Sequence, residues 1–161
     1  MKKILFTILI YFSFLSGSSI LGEKIVIDDT QLRYKVATAE RISTPPTIDG
    51  ILDDIAWNQA TILEQLVQHE PFNLHAPSVE TEIRVLYDDD YLYIAFNNID
   101  PNPENISARV GRRDDWNTIE NNSDWVAIGI DSNNDDKTGN WFTLSAAEVQ
   151  LDAAMTEGKG W

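Results

Sequence analysis

Between Val79 and Asp100, apolar and polar positions alternate with a period of two, the spacing of a strand that buries one face. Thr81, Ile83, Val85 and Tyr87 take one set of positions, and Glu80, Glu82 and Arg84 lie between them. Beyond Asp88 to Tyr91, the return run offers Leu92, Ile94 and Phe96 on one side and Tyr93, Ala95 and Asn97 on the other. A four-residue loop sets Tyr87 against Leu92, Val85 against Ile94 and Ile83 against Phe96, so all six share one apolar face. A three-residue loop would leave Phe96 beside Glu82. Because a slip of one residue exchanges the two faces, the pattern selects the four-residue loop. Such a hairpin requires a second layer over its apolar face.

The remaining elements are short and heavily punctuated. Val36 to Ile42 predicts a strand that must end before Pro45-Pro46, since proline cannot donate to a ladder. Asp49-Gly50 marks a turn, and Asp53 or Asp54 can cap a short helix ending at Ala60, with Ile55 and Trp57 directed to the core. Leu63 to His69 is a further strand candidate. Ser107 to Asn122 has no clean period and predicts a charged loop with a short strand at Ala108 to Gly111. Trp125 to Asp131, Trp141 to Ala147 and Gln150 to Ala154 predict strands, with a polar turn over Ser132 to Asn140. Many short strands, one short helix and frequent Pro, Gly and Asn predict an all-β fold, an antiparallel β-sandwich of jelly-roll type. The run Glu157 to Trp161 carries no closing strand, which predicts a module incomplete at its C-terminus and cut from a longer protein.

The first 22 residues have a different character. Lys2 and Lys3 precede an apolar run from Ile4 to Leu15, and Ser16, Gly17, Ser18 and Ser19 supply small residues for cleavage. The apolar run is shorter than the roughly 20 residues of a membrane-spanning helix. The reading is a secretory signal peptide over residues 1–22, a polar leader over 23–36, and a folded module over 37–161. Export to the periplasm, the outer membrane or the exterior follows from it. The chain has no cysteine, which excludes a disulfide framework and a lipid-modified cysteine. With 26 acidic and 12 basic residues the net charge is −14, and it falls to −16 once Lys2 and Lys3 are removed. That balance excludes nucleic acid as a partner, because phosphates demand a basic footprint. It suits bound cations or neutral ligands such as sugars.

Two stretches could carry chemistry. Asp131, Asn133, Asp135 and Asp136 place oxygen atoms along one loop as calcium sites do, without the central glycine and distal glutamate of an EF-hand. An ordinary Asn/Asp turn explains the same residues. Trp116 lies in the charged run Arg112-Arg113-Asp114-Asp115-Trp116, where no packing pattern claims it, so its indole can stack on a sugar ring. Arg109, Arg112 and Arg113 can donate to sugar hydroxyls or carboxylates, or pair with Asp114 and Asp115. Trp57 belongs to the core, while Trp125 and Trp141 suit either face of their strands. His69 and His75 have no zinc spacing. Glu148 and Asp152 share a face of a presumed strand but have no identifiable pocket, a weak basis for a glycosidase pair. No nucleophile, metalloprotease, nucleotide or dinucleotide motif is present, so no organic cofactor is expected and the chain reads as no enzyme.

At this point several segments together resemble carbohydrate-binding module family 9. ISTPPTIDGILDDIAW is similar to that family's opening, EIRVLYDDDYLYIAFNNID to its central hairpin, and SDWVAIGIDSNNDDKTG to its following strand and acidic turn. ARVGRRDD and FTLSAAEVQLD look more like a subgroup whose module precedes a long outer-membrane β-barrel. The resemblance covers Ala37 to Asp152. It implies a β-sandwich that binds poly- or oligosaccharides, holds structural calcium and is attached to a glycosidase or a barrel. A stacking Trp of the family falls near Asn121 here, five residues beyond Trp116. A sugar-binding Arg falls near Val149 or Gln150, where this chain has none.

Three functions compete on this reading. The first is non-catalytic carbohydrate binding by a secreted module, linked to carbohydrate catabolism. The second is a structural accessory domain of an outer-membrane β-barrel protein without sugar affinity. The third places the module in a full-length glycoside hydrolase that acts on glycosyl bonds.

Overall fold

The computed structural model describes residues 37–68, 70–135 and 137–156, together with the backbone of a strand at 8–13. In chain order the strands are β1 Ile8–Ser13, β2 Glu40–Arg41, β3 Ile62–Leu63, β4 Glu80–Tyr87, β5 Leu92–Ile99, β6 Trp125–Ile130, β7 Thr138–Ser145 and β8 Gln150–Thr156. One α-helix, α1 (Trp116–Asn122), and two 3₁₀ turns, Ile55–Gln59 and Pro103–Asn105, complete the described elements. Among the described residues, two four-stranded sheets and one short α-helix make the protein all-β in class, as its sequence predicts. The chain forms two compact units, Leu21–Pro101 and the combination of Met1–Ile20 with Asn102–Trp161.

In the first of these units β4 is the central strand. It pairs with β5 on one edge and with the short β2 and β3 along the other. The hairpin register is the one selected by the hydrophobic pattern: Tyr87 opposes Leu92, Val85 opposes Ile94 and Ile83 opposes Phe96. Ile83 and Val85 are buried on that face. The opposite face is also covered near the turn. Leu86, fully buried, and Ala95 join Ile42, Ala56 and Trp57 in one core cluster, with Leu52, Ala60 and Tyr93 packed around it. The hairpin is therefore buried on both faces at its closed end, where the period-two pattern had suggested one.

The turn of the hairpin is held by one carboxylate. Asp88 Oδ1 accepts from the amides of Asp90 and Tyr91, and Oδ2 accepts from the Tyr93 hydroxyl at 2.7 Å. Nearby, Asp49 Oδ1 accepts from Ile51 N, and Gly50 supplies the positive φ (85°) that the predicted turn demands. Asp54 precedes the Ile55–Gln59 turn without capping it by its side chain; Oδ2 accepts instead from Thr47 N. The strand expected over Leu63 to His69 shrinks to Ile62–Leu63. Gln65 takes a positive φ of 58°, which ends the ladder, and His69 lies outside the described residues.

The second unit is an antiparallel sheet in the order β1-β6-β7-β8. Trp125 pairs with Ser145, Ala127 with Thr143 and Gly129 with Trp141, so both tryptophans occupy one face. Ile119 of α1 and Val149 bury that face, and Trp116, Ala147, Leu151 and Met155 pack around them. Trp141 satisfies its indole N–H on Thr143 Oγ1 at 2.8 Å. The sequence pattern missed α1. It has only seven residues and one fully buried side chain, too short for a visible period. Its signal was Asp115, whose carboxylate caps the helix by accepting from Thr118 N and Thr118 Oγ1.

β1 falls inside residues 1–22, which the sequence reading placed outside the fold as a signal peptide. Its backbone pairs along β6 from Ile8↔Ile130 to Ser13↔Trp125. The physical reason is that an apolar run of this length meets the needs of a sheet-edge strand as well as those of a signal peptide. The expected strand at Ala108 to Gly111 is reduced to a single bridge, Ala108↔Ser123.

Two measurements check this architecture. Leu86→Ala should cost about 2–5 kcal/mol in urea unfolding, because it empties the best-buried side chain of the hairpin core. The Tyr93 hydroxyl, bonded to Asp88, has its pKa pushed up to about 12, while the same bond and the Asp90 amide hold the Asp88 carboxyl below its usual range. The Asp88 contribution to stability is thus present above the ordinary carboxylate range and lost as pH falls through its lowered value. The Tyr93 contribution is present below about 10 and lost as pH rises through about 12. In a phenolate absorbance titration Asp88→Asn should remove the late step near 12 and return Tyr93 toward its ordinary value.

Candidate functional site

A shallow cleft of about 200 Å³ opens between the loop before α1 and the turn before β8. It is lined by Val110, Gly111, Arg113, Ala147, Glu148, Val149 and Gln150. Two backbone features bring these segments together. Asp114 N donates to Gln150 O at 2.9 Å, and Asp152 N donates to Asp114 Oδ1 at 3.2 Å. Asp114 thereby imitates one residue of a neighbouring strand against the outer edge of β8, at a positive φ of 62°. Gly111 lets the loop approach α1. A Cβ at that position would lie 2.6 Å from Thr118 Cγ2, on a side chain already fixed by Asp115.

The other wall is a tight turn built on Ser145, which is buried. Ser145 Oγ accepts from Ala147 N and Val149 N, Ser145 N donates to Val149 O, and Glu148 N donates to Ser145 O. Glu148 sits at the apex with φ 61°, a conformation that a non-glycine residue adopts at a cost of order 1 kcal/mol. Its side chain is exposed on the cleft wall. Sequence alone placed Glu148 on a strand; the Ser145 turn removes it from the sheet and gives it to the cleft.

Arg113 is the best-ordered polar group of the site. Its NH1 donates to Gln150 Oε1 at 2.7 Å, its NH2 to Asp152 Oδ1, and its Nε lies 3.6 Å from Asp114 Oδ2. Asp152 is thus engaged by Arg113 rather than facing Glu148 as one of a catalytic pair. Although no Arg stands at Val149 or Gln150, a guanidinium reaches Gln150 from the opposite loop. With 58% of its side chain exposed, Arg113 gains at most about 1 kcal/mol of stability from its ion pairs. Their effect is to fix its direction.

The other predicted site residues are dispersed. Trp116 is half-buried at the start of α1, its ring centre 5.7 Å from that of Trp125 and tilted 58° to it. Its indole packs on the core cluster. Asn121 is exposed on α1. Arg109 donates from its main chain to Ser123 Oγ at 3.0 Å, and its guanidinium reaches Asn122 Oδ1 at 3.5 Å. Arg112 is exposed beside the cleft residues. Val110, Glu148 and Asp152 were not singled out as ligand contacts.

The acidic loop between β6 and β7 is organised by its own hydrogen bonds. Asp131 Oδ1 accepts from Asn133 N and Asp135 N, Asp135 Oδ1 from Lys137 N and Thr138 N, and Asp135 Oδ2 from Thr138 Oγ1. The bonds from Thr138 and Lys137 hold the Asp135 carboxyl below its usual pKa. Asn133 Nδ2 donates to Thr138 Oγ1, while Asp136 lies outside the described residues. These hydrogen bonds give the loop the form of the Asn/Asp turn that its sequence also allows. Among the described residues no group of three or more His, Asp or Glu is arranged to hold a metal ion.

Comparison with known proteins agrees with this geometry at the level of family. No curated protein and no solved structure matches the chain. The profile of the carbohydrate family 9 binding domain-like family matches residues 48–157, from the Asp49-Gly50 turn through the hairpin and the cleft to the end of β8. With more than half of its length matched, this chain belongs to the carbohydrate family 9 binding domain-like family.

Proposed function

We propose that this protein is a non-catalytic carbohydrate-binding module whose ligand lies in the cleft between Arg113 and Glu148. The observation that carries the reading is Arg113, a guanidinium already aimed by Gln150, Asp114 and Asp152 beside an open depression. Pre-ordered donors bind sugar hydroxyls without the entropy of fixing a long side chain at the moment of binding. Val110 and Ala147 supply apolar surface for the faces of a ring, and Gln150 and Glu148 supply further polar atoms. In this reading the signal peptide exports the chain, and an attached glycosidase or outer-membrane protein takes up the captured saccharide for catabolism. Binding in this reading requires no organic cofactor.

The position of Trp116 favours a second reading. An indole packed against Trp125 and the core cluster offers less stacking surface than an exposed one. That is what an accessory domain of a barrel protein, with no sugar affinity of its own, would have.

Calorimetric titration of the protein with cello- and xylo-oligosaccharides, with and without calcium, decides between them. Saturable heat that Arg113→Ala weakens about tenfold, as expected for the loss of a charged donor, supports the binding module. A folded protein silent toward every glycan supports the accessory domain. The two site candidates should separate in urea unfolding. Arg113→Ala should change stability by less than about 1 kcal/mol. Trp116→Ala should cost about 2 kcal/mol or more through lost packing, and Trp116→Phe should recover most of it.

A further inference from the structure

Among the residues lining the cleft Arg113 is the one cation, and it is already paired. Asp152 and Asp114 flank its guanidinium, and Gln150 takes one of its remaining hydrogens. Glu148 adds a further carboxylate on the facing wall, exposed and held at the tip of the Ser145 turn. Counted together with Arg112, exposed beside the cleft, two guanidiniums stand against three carboxylates. The background is no different, since the whole chain carries −14. A sugar carboxylate entering this cleft meets an arginine flanked by two carboxylates and a glutamate that repels it. An ammonium group meets the reverse.

We infer that the cleft selects its glycan by charge, taking amino-bearing sugars in preference to neutral ones and rejecting uronates, with Glu148 as the residue that sets this preference. The inference rests on the reading of the cleft as a carbohydrate site and goes beyond it by naming the ligand's chemical class. The backbone of the Ser145 turn supports the assignment of Glu148. Four hydrogen bonds involving Ser145 hold the turn, and all run to its hydroxyl or main chain. A residue kept at a positive φ, where Gly or Asn would relieve strain, is a candidate for a role outside folding.

The test uses three tetrasaccharides with the same β-1,4-linked gluco backbone: cellotetraose, a chitosan tetramer with free amines, and a glucuronan tetramer. Titrations are run at low salt and at a pH between the carboxylate and amine pKa values, so that both charges are present. The expected order of affinity is chitosan, then cellotetraose, then glucuronan, with steps of about threefold for each exposed charge near the ligand, and the spread should collapse in high salt. Glu148→Gln keeps the shape of the side chain and removes its charge. It should narrow the range from both ends. Glu148→Gly should raise stability and give the same narrowing, which separates charge from strain. Equal affinity for the three glycans, or glucuronan bound most tightly, overturns the inference and leaves the carbohydrate reading standing. An ordered series that Glu148→Gln does not alter overturns the role of Glu148. Silence toward all three glycans removes the carbohydrate reading, and this inference with it.

Discussion

The first residues of β8 meet a partner on their outer edge, and a single residue supplies it. An edge strand left with bare amides and carbonyls either costs desolvation or recruits a foreign strand. Asp114 meets that demand twice, giving its own N–H to Gln150 O and taking the Asp152 N–H on its carboxylate. One wall of the cleft follows from this contact. It draws the 108–115 loop against the sheet, which brings Arg113 over Gln150 and Asp152. It also sets Asp115 where the first amides of α1 need a cap, and so seats Ile119 and Trp116 on the tryptophan face of β6 and β7. Core packing and the shape of the cleft wall are two results of the same loop.

Much of the fold could be read from spacing alone, and the hairpin shows why. Its register depends on a strict alternation of apolar and polar residues, and only one loop length places Ile83, Val85 and Tyr87 opposite Phe96, Ile94 and Leu92. What the pattern hid was the second buried face. Leu86 and Ala95 look like interruptions on the polar side until Trp57 and Ile42 arrive from distant parts of the chain. Long-range partners of that kind leave no local mark in a sequence. The same holds for β3, where one residue at positive φ cancels a strand that its composition supports.

The candidate site was legible in part. Arg113 and Gln150 could each be named, one from its charge and the other from a family resemblance, but their 2.7 Å contact joins residues 37 positions apart. Trp116 looked free because the run around it has no helical period. α1 is two turns long, and its single fully buried residue, Ile119, lies three positions beyond Trp116. Glu148 was assigned to a strand because the hydroxyl of Ser145, which folds the chain back before β8, is indistinguishable in sequence from any other serine. Short polar turns held by one buried hydroxyl are the features a residue pattern conveys least.

The Ser145 turn also bears on how such a module changes over evolutionary time. Its hydrogen bonds come from the serine hydroxyl and from main-chain groups, so the residue at its apex contributes its side chain to the solvent-facing wall alone. Position 148 is then a place where a new side chain can be installed with little disturbance to the sheet behind it. Asparagine, aspartate or glycine would enter at a backbone angle they favour, and a longer residue would pay only the modest strain that glutamate already bears. A lineage could remodel the exposed wall there in single mutational steps, because the atoms that hold the five-residue bend and the side chain at its apex are different ones.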